Sequence, residues 1–157
     1  MAASSVSAAS NFKKALLAAM RSLVDDGEVL VTFGHPGQDF QNWDDVVSFA
    51  DTDVSQDVAT MGTNRSREET LTQTVWVSCF RAGGVDQEVV ASDRAYELLG
   101  LLEHHVRVTD TTLGGVVREC FLTAHRAEGA TSPALLARGR TIEVEATFTA
   151  KVRVTGP

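Results

Sequence analysis

The chain has 157 residues, with 14 basic and 21 acidic side chains and a formal net charge of −7. This length fits one domain with a sizeable core, and the acidic balance disfavours a protein that grips nucleic acid by its phosphates. Two cysteines without a CxxC pair predict neither a disulfide framework nor a cysteine metal site, and we expect a reducing, intracellular setting. The start of the chain lacks the features of a signal peptide, and no run of about 18 apolar residues occurs, so we also expect a soluble protein without a membrane span.

The first 40 residues predict a tail, a helix and a strand. Residues 1–10 are rich in Ala and Ser, which predicts a flexible N-terminal tail before a single domain at 11–157. Ser10 or Asn11 is a suitable cap for a helix that ends at Gly27, because Phe12, Leu16 and Met20 recur on one face. The run "EVLVTF" at 28–33 predicts a strand, and "GHPG" after it predicts a turn.

The pattern weakens between residues 38 and 70. A strand is predicted at about 45–50, and the following "TDVSQDVATMGTNRSREET" has no steady period and is typical of a long loop. Loops of that length are uncommon in compact domains unless they have a function. We therefore expect this loop to face a partner.

The second half of the chain alternates strands with one clear helix. A strand is predicted at 71–80 and a glycine turn at 81–84, followed by a helix that begins at Asp86 or Ser92 and ends at Val106. "DTTLGG" at 110–115 predicts a turn, and a strand follows at 116–126. The closing "TIEVEATFTAKVRV" at 141–154 alternates apolar and polar residues for fourteen positions. Together these elements predict an α+β fold with two layers, a mostly antiparallel sheet of about five strands and two helices packed on one face.

No set of residues forms a recognisable catalytic or metal-binding motif. Cys79 and Cys120 are candidate nucleophiles, but both occupy apolar positions of strands, where a buried, inert thiol is the more common state. The four histidines have no compact ligand spacing. We therefore expect a protein that is not an enzyme and holds neither a cofactor nor a metal.

Two groups of charged side chains are candidates for contact with partners. The segment "NRSREET" predicts either ion pairs across a subunit contact or a solvated turn, and its candidates are Arg65, Arg67, Glu68 and Glu69. Six aspartates lie between residues 39 and 57 without a Lys or Arg. Five of them are candidates for an acidic docking loop, namely Asp44, Asp45, Asp51, Asp53 and Asp57.

The chain resembles the tail terminator proteins of long-tailed double-stranded-DNA phages, which are also called tail completion proteins. The resemblance covers the layout of residues 1–154 and is strongest at 67–120. It lies in an acidic pair that opens a central strand, a glycine turn, the amphipathic "RAYELL" helix, the "D-x-TLGG" turn and the strand after it. Residues 38–70 and the histidine pair at 104–105 depart from the pattern.

The resemblance implies a structural protein of the virion, assembled in the host cytoplasm, that forms a hexameric ring on the head-proximal end of the tail tube. Its partners would be its own copies, the tail tube protein and the head-tail connector. DNA would pass through the lumen without specific binding, and the five aspartates named above would line that lumen or form the docking loop. The long last strand, lying at an edge of the sheet, would pair with a neighbouring subunit. Its polar row would face the lumen or that subunit, with Glu143, Glu145, Lys151 and Arg153 as candidates. Another neck protein, or a small cytosolic enzyme using Cys79 or Cys120, remains the alternative.

Overall fold

Five strands form one mixed sheet in the computed structural model, which describes residues 6–59 and 65–155. They are β1 (Val29–Phe33), β2 (Asp45–Val58), β3 (Arg67–Ala82), β4 (Glu119–Gly129) and β5 (Gly139–Val154). Their order in the sheet is β1-β2-β3-β5-β4. The β1 and β2 strands are parallel, and the other neighbours are antiparallel. The predicted α+β class with a mostly antiparallel sheet is confirmed.

Both main helices pack on the same face of this sheet. Helix α1 (Ala9–Leu23) buries Phe12, Leu16 and Met20, and α2 (Gln87–His104) buries the apolar stripe that its spacing predicts. A turn of π-helix at His105–Thr109 extends α2. The sheet contributes alternate residues of β3 and β5 to the core, among them Val75 and Phe148. The prediction of two helices on one face is confirmed.

The segment predicted as a long loop is instead half of a β-hairpin. Strand β2 continues to Val58 and β3 begins at Arg67, so only residues 59–66 connect them, and residues 60–64 lie outside the described residues. The register of β2 shifts between Phe49 and Thr52, and beyond this bulge all residues but Thr52 are exposed. Polar side chains therefore occupy both sides of this half of the strand. Its sequence lacks the alternation of apolar and polar residues by which a strand is predicted.

Strand β5 has the predicted length but is not at the edge of the sheet. It lies between β3 and β4 and pairs with β3 along all 16 of its residues. Our suggestion that this long strand pairs with a neighbouring subunit along a free edge is therefore wrong. Periodicity reports which side chains are buried, whereas the position of a strand in a sheet depends on contacts with distant parts of the chain.

The remaining boundaries differ by a few residues. Helix α1 begins at Ala9, inside the predicted tail, and residues 1–5 lie outside the described residues. A short 3-10 helix at Gly37–Asn42 follows the turn after β1. The turn at 110–115 is as predicted, since Leu113, Gly114 and Gly115 all have positive φ.

Candidate assembly surfaces

The face of the sheet opposite the helices is mostly polar, with Trp76, Phe80 and Phe121 as its large aromatic side chains on β3 and β4. The described part of the chain places no α-helix on this face. Along β3 and β5 this open face presents threonines 70, 72, 74, 147 and 149, which are half-buried between their neighbours. Alternation in each strand puts these side chains opposite the core positions. The polar row of β5 thus lies on the open face, as predicted, with Glu143, Glu145, Lys151 and Arg153.

At one end of the open face Glu68 is part of a small ion-pair network. Its carboxylate pairs with Arg118 and lies 3.6 Å from Nε of Arg153. These contacts cross from β3 to β5 and to the residue before β4, so they join strands of one subunit. Lys151 lies two residues before Arg153 on β5, opposite Thr70, and is exposed.

The four candidates of the "NRSREET" segment separate in the structure. Arg65 is exposed and Arg67 is half-buried. Glu69 is fully buried on the helix side, where Oε1 accepts the backbone N–H of Ala8 at 2.8 Å and Oε2 accepts a hydrogen bond from Gln56 at 2.6 Å. This carboxylate holds the start of α1 and is not accessible to another subunit, so its prediction as an interface residue is wrong.

Glu143 and Glu145 lie further along β5. Glu143 is opposite Ser78 on one side and Glu128 on the other, and Glu145 is opposite Trp76 and Arg126. Arg126 donates to Glu128 at 2.9 Å. Partial burial, with repulsion from Glu128, raises the pKa of the Glu143 carboxyl above its usual value. Glu143 and Glu128 therefore form a small acidic patch on the open face.

A cleft of about 490 Å³ opens beside this patch. Its walls come from the 3-10 helix, which contributes Phe40, and from the open face of the sheet, which contributes Ser48, Trp76 and Glu143. The cleft was not predicted from the sequence, although Trp76 on the polar side of an alternating strand is a signal for it. A large aromatic side chain on an otherwise hydroxyl-rich face is typical of a contact surface.

The aspartates of the predicted acidic group also separate. Asp44 precedes β2, and Asp51, Asp53 and Asp57 lie along its second half, all four exposed. Asp45 is 4% exposed and faces the helices. Its carboxylate accepts from Arg81 at 2.7 Å and from Arg94 at 3.0 Å. Asp45 therefore ties β2 to β3 and α2, and its prediction as a lumen residue is wrong.

Competing effects set the charge state of Asp45. Burial alone would raise the pKa of its carboxyl, but hydrogen bonds from Arg81 and Arg94 outweigh burial and hold that pKa below its usual value. The same group acts on the neighbouring thiol, since burial and the Asp45 charge raise the pKa of Cys79. Burial also raises the pKa of Cys120 to about 12. Both thiols are thus buried and protonated at neutral pH, which disfavours either as a nucleophile.

Within residues 6–59 and 65–155, no group of three or more His, Cys, Asp or Glu side chains is arranged to hold a metal ion. No helix in this part of the chain has the length and apolar character needed to cross a membrane.

Comparison with known proteins gives distant structural likenesses and no family. No family model matches the chain, and no curated protein matches it. A chain from a solved structure described as the virion of a native gene transfer agent particle aligns with a TM-score of 0.41 and 13% sequence identity. The alignment covers 93% of this chain and 92% of the other. A likeness with so low a TM-score and identity supports no statement about the fold or function of this chain.

Proposed function

We propose that this chain is a structural virion protein of a long-tailed phage, and that it forms a ring on the head-proximal end of the tail tube. The observation that carries the proposal is the sequence resemblance of residues 67–120 to tail terminator proteins. By that resemblance the ring has six subunits, ends the growth of the tube and provides the surface on which the head-tail connector docks.

The two faces of the sheet support this proposal. Helices cover one face, and the other presents hydroxyl and charged side chains, as expected of a subunit whose sheet faces an aqueous channel. Carboxylates outnumber cations there, with Asp53, Asp57, Glu68, Glu119, Glu128, Glu143 and Glu145 against Arg118, Arg126, Lys151 and Arg153. Such a wall repels phosphates, so DNA would pass through the lumen without being held.

The state of the two thiols supports a structural role over the cysteine-enzyme alternative. A nucleophilic cysteine needs an accessible thiolate, whereas Cys79 and Cys120 are 0% and 1% exposed. Treatment of the native protein with a thiol reagent should leave both unmodified until the protein is unfolded. Rapid labelling of either cysteine in the native state would favour the enzyme.

The proposal is tested with purified protein and purified tail tubes. Sedimentation and negative-stain imaging should show closed rings, alone or at one end of each tube, and tubes assembled in the presence of the protein should stop growing. Tube protein without this chain is the control. A chain that stays monomeric and never binds tube ends contradicts the proposal. Binding to connector protein but not to tubes would identify the chain as another neck protein.

A further inference from the structure

We infer that neighbouring subunits join by adding the second half of β2 from one copy to the free edge of β4 in the next, so that the sheet continues from subunit to subunit. This inference rests on the proposed ring and identifies its contact surface. It replaces the contact along β5, which the position of that strand inside the sheet rules out.

Strand β4 offers a long free edge. It has 11 residues, all of which but Thr123, at a register shift, pair with β5 on one side. Within the described residues no strand pairs with the other side. At about 3.3 Å per residue the edge is roughly 36 Å long. An edge of this length with an exposed Phe121 is unusual for a subunit that remains alone, because unpaired backbone groups invite another strand.

Helix α2 lies above this edge and adds apolar surface to it. The hydroxyl of Tyr96 is 3.2 Å from Nδ1 of His125 on β4, and Glu88 lies against Gly129 at the end of the strand. Val89 is on the same side of the helix and is 65% exposed. A strand added to β4 would bury part of Val89 and Tyr96 with its own helix-side residues.

The second half of β2 is a free edge of matching character. Strand β1 pairs with β2 only as far as Phe49, and no described strand pairs with residues 51–58 on that side. Val54 and Val58 are opposite Leu71 and Arg67 of β3, which places both valines on the helix side of the sheet. They are 43% and 66% exposed, so they offer apolar area that nothing in the described chain covers completely.

Joining the two edges brings apolar side chains of both copies together on the helix side of the sheet. When the sheet continues in the same orientation, Val54 and Val58 of one copy meet the α2 side of the next, where Val89 and Tyr96 are exposed. On the open face, Asp53 and Asp57 come beside a row of β4 that holds Arg126, whose side chain is 75% exposed, next to Glu128. The apolar contacts on the helix side favour this pairing, and the charges of the open face favour only a register that places an aspartate at Arg126 and away from Glu119 and Glu128.

The aspartates also disfavour the symmetric alternative. If two copies of β2 paired with each other, Asp53 and Asp57 of one copy would lie opposite the same aspartates of the other copy. Like charges directly opposite each other are destabilising. A contact between two different edges is heterologous, and such a contact generates a ring when the rotation between subunits closes. Charge on β2 therefore favours rings over two-fold dimers.

Crosslinking between engineered cysteines tests the contact. Ser55→Cys places a thiol on the open side of β2, and Ala124→Cys or Glu128→Cys places one at either of two levels of β4. Mixing a β2 variant with a β4 variant and adding a short bismaleimide should give covalent dimers, and a chain carrying both changes should give ladders up to the whole ring. Each single variant alone should stay uncrosslinked, since the native thiols are buried.

A second test uses the exposed face of α2. Val89→Asp should weaken ring assembly roughly tenfold or more, because it places a carboxylate in the apolar contact. Val90→Asp is the matched control, since Val90 is 44% exposed and is the next residue around the same helix. Both variants should fold normally, which circular dichroism checks.

The outcomes separate this inference from the proposed function. Rings that form and bind tubes without any β2-to-β4 crosslink, or that tolerate Val89→Asp, overturn the contact and leave the function standing. Crosslinking of the Ser55→Cys variant with itself overturns the heterologous geometry. A chain that forms no rings with or without tube protein overturns both proposals.

Discussion

The buried Asp45 shows how one side chain joins three elements. Its carboxylate lies between Arg81 of β3 and Arg94 of α2, while the exposed fractions of the two arginine side chains are 25% and 20%. Ion pairs that are shielded from water in this way are costly to break from one side, because the remaining charges lose their partner. Asp45 therefore contributes to the fold of the subunit and not to its acidic surface.

We expect Asp45→Asn to lower the free energy of unfolding by about 2 kcal/mol at neutral pH. The pKa of the Asp45 carboxyl is lowered in the folded protein, so its stabilising effect is present above the unfolded pKa and is lost as the pH falls through the folded value. The difference between wild type and variant should therefore shrink below about pH 4. Urea unfolding across a pH series measures it, and Asp44→Asn, at an exposed neighbour, is the control.

A second prediction concerns the face of β5 that belongs to the core. Phe148 is 0% exposed and is opposite Gln73 and Leu122 in the neighbouring strands. Phe148→Asp should cost about 4 kcal/mol or more, because it removes a large apolar side chain and buries a charge. Thr147→Asp changes the next residue, on the open face, and should leave the protein folded. Thermal unfolding compares the two, and a stable Phe148→Asp variant would show that the faces are reversed.

At the scale of elements, the β-hairpin of β2 and β3 holds helix α1 at its start. Ala8 precedes the helix, and no side chain of the helix itself caps it. Ser7 Oγ accepts from the N–H of Ala9 at 3.0 Å, and Glu69 from β3 accepts from the N–H of Ala8. Gln56 from β2 holds the second oxygen of that carboxylate. A long-range cap of this kind satisfies a helix N–H group that would otherwise be buried without a partner.

Glu69→Gln should lower the free energy of unfolding by about 1–3 kcal/mol. The NH2 group of the new side-chain amide would face one of the two donors, the N–H of Ala8 or the amide of Gln56, in a buried site. Amide hydrogen exchange should become faster at the first turn of α1. Glu68→Gln is the matched control because it changes the adjacent residue, whose ion pairs are on the surface and contribute at most about 1 kcal/mol. Equal stability of the two variants would contradict the role of Glu69 as a cap.

The elements also show what the sequence can and cannot predict. Helix α2 and strand β5 were predicted closely because each buries one regular face, and that burial imposes a period on the residues. The second half of β2 was missed because it extends beyond the core and carries polar residues on both sides. The positions of Asp45 and Glu69 were missed as well, since only the strand register shows that both face the helices.

At the scale of the whole molecule, part of the excess negative charge lies on the edge formed by β2 and on the open face of the sheet. The second half of β2 carries Asp51, Asp53 and Asp57 without a basic residue, and the open face adds unpaired carboxylates on β5. In a ring this arrangement repeats around the axis. Repeated charges of one sign act together over about 10 Å at moderate salt, so their effect on partners exceeds that of any single residue.

Neutralising Asp51, Asp53 and Asp57 together to Asn should leave the fold intact, because all three are exposed. The apolar contacts of Val54 and Val58 should still allow rings to form, since exposed charges affect the rate and specificity of association more than its strength. We expect fewer infectious particles per assembled tail, as the weaker field alters connector docking or DNA passage.

The matched control replaces Asp25, Asp26 and Glu28 by their amides, which removes the same charge from an exposed turn between α1 and β1. This variant should behave as wild type, so that an effect of the β2 variant depends on where the charge lies and not on the net charge. Docking rates to purified connector at low and high salt would show whether the effect is electrostatic, because screening reduces the difference between variants. Unchanged particle yield and infectivity for the β2 variant would exclude a role for its aspartates in docking or DNA passage.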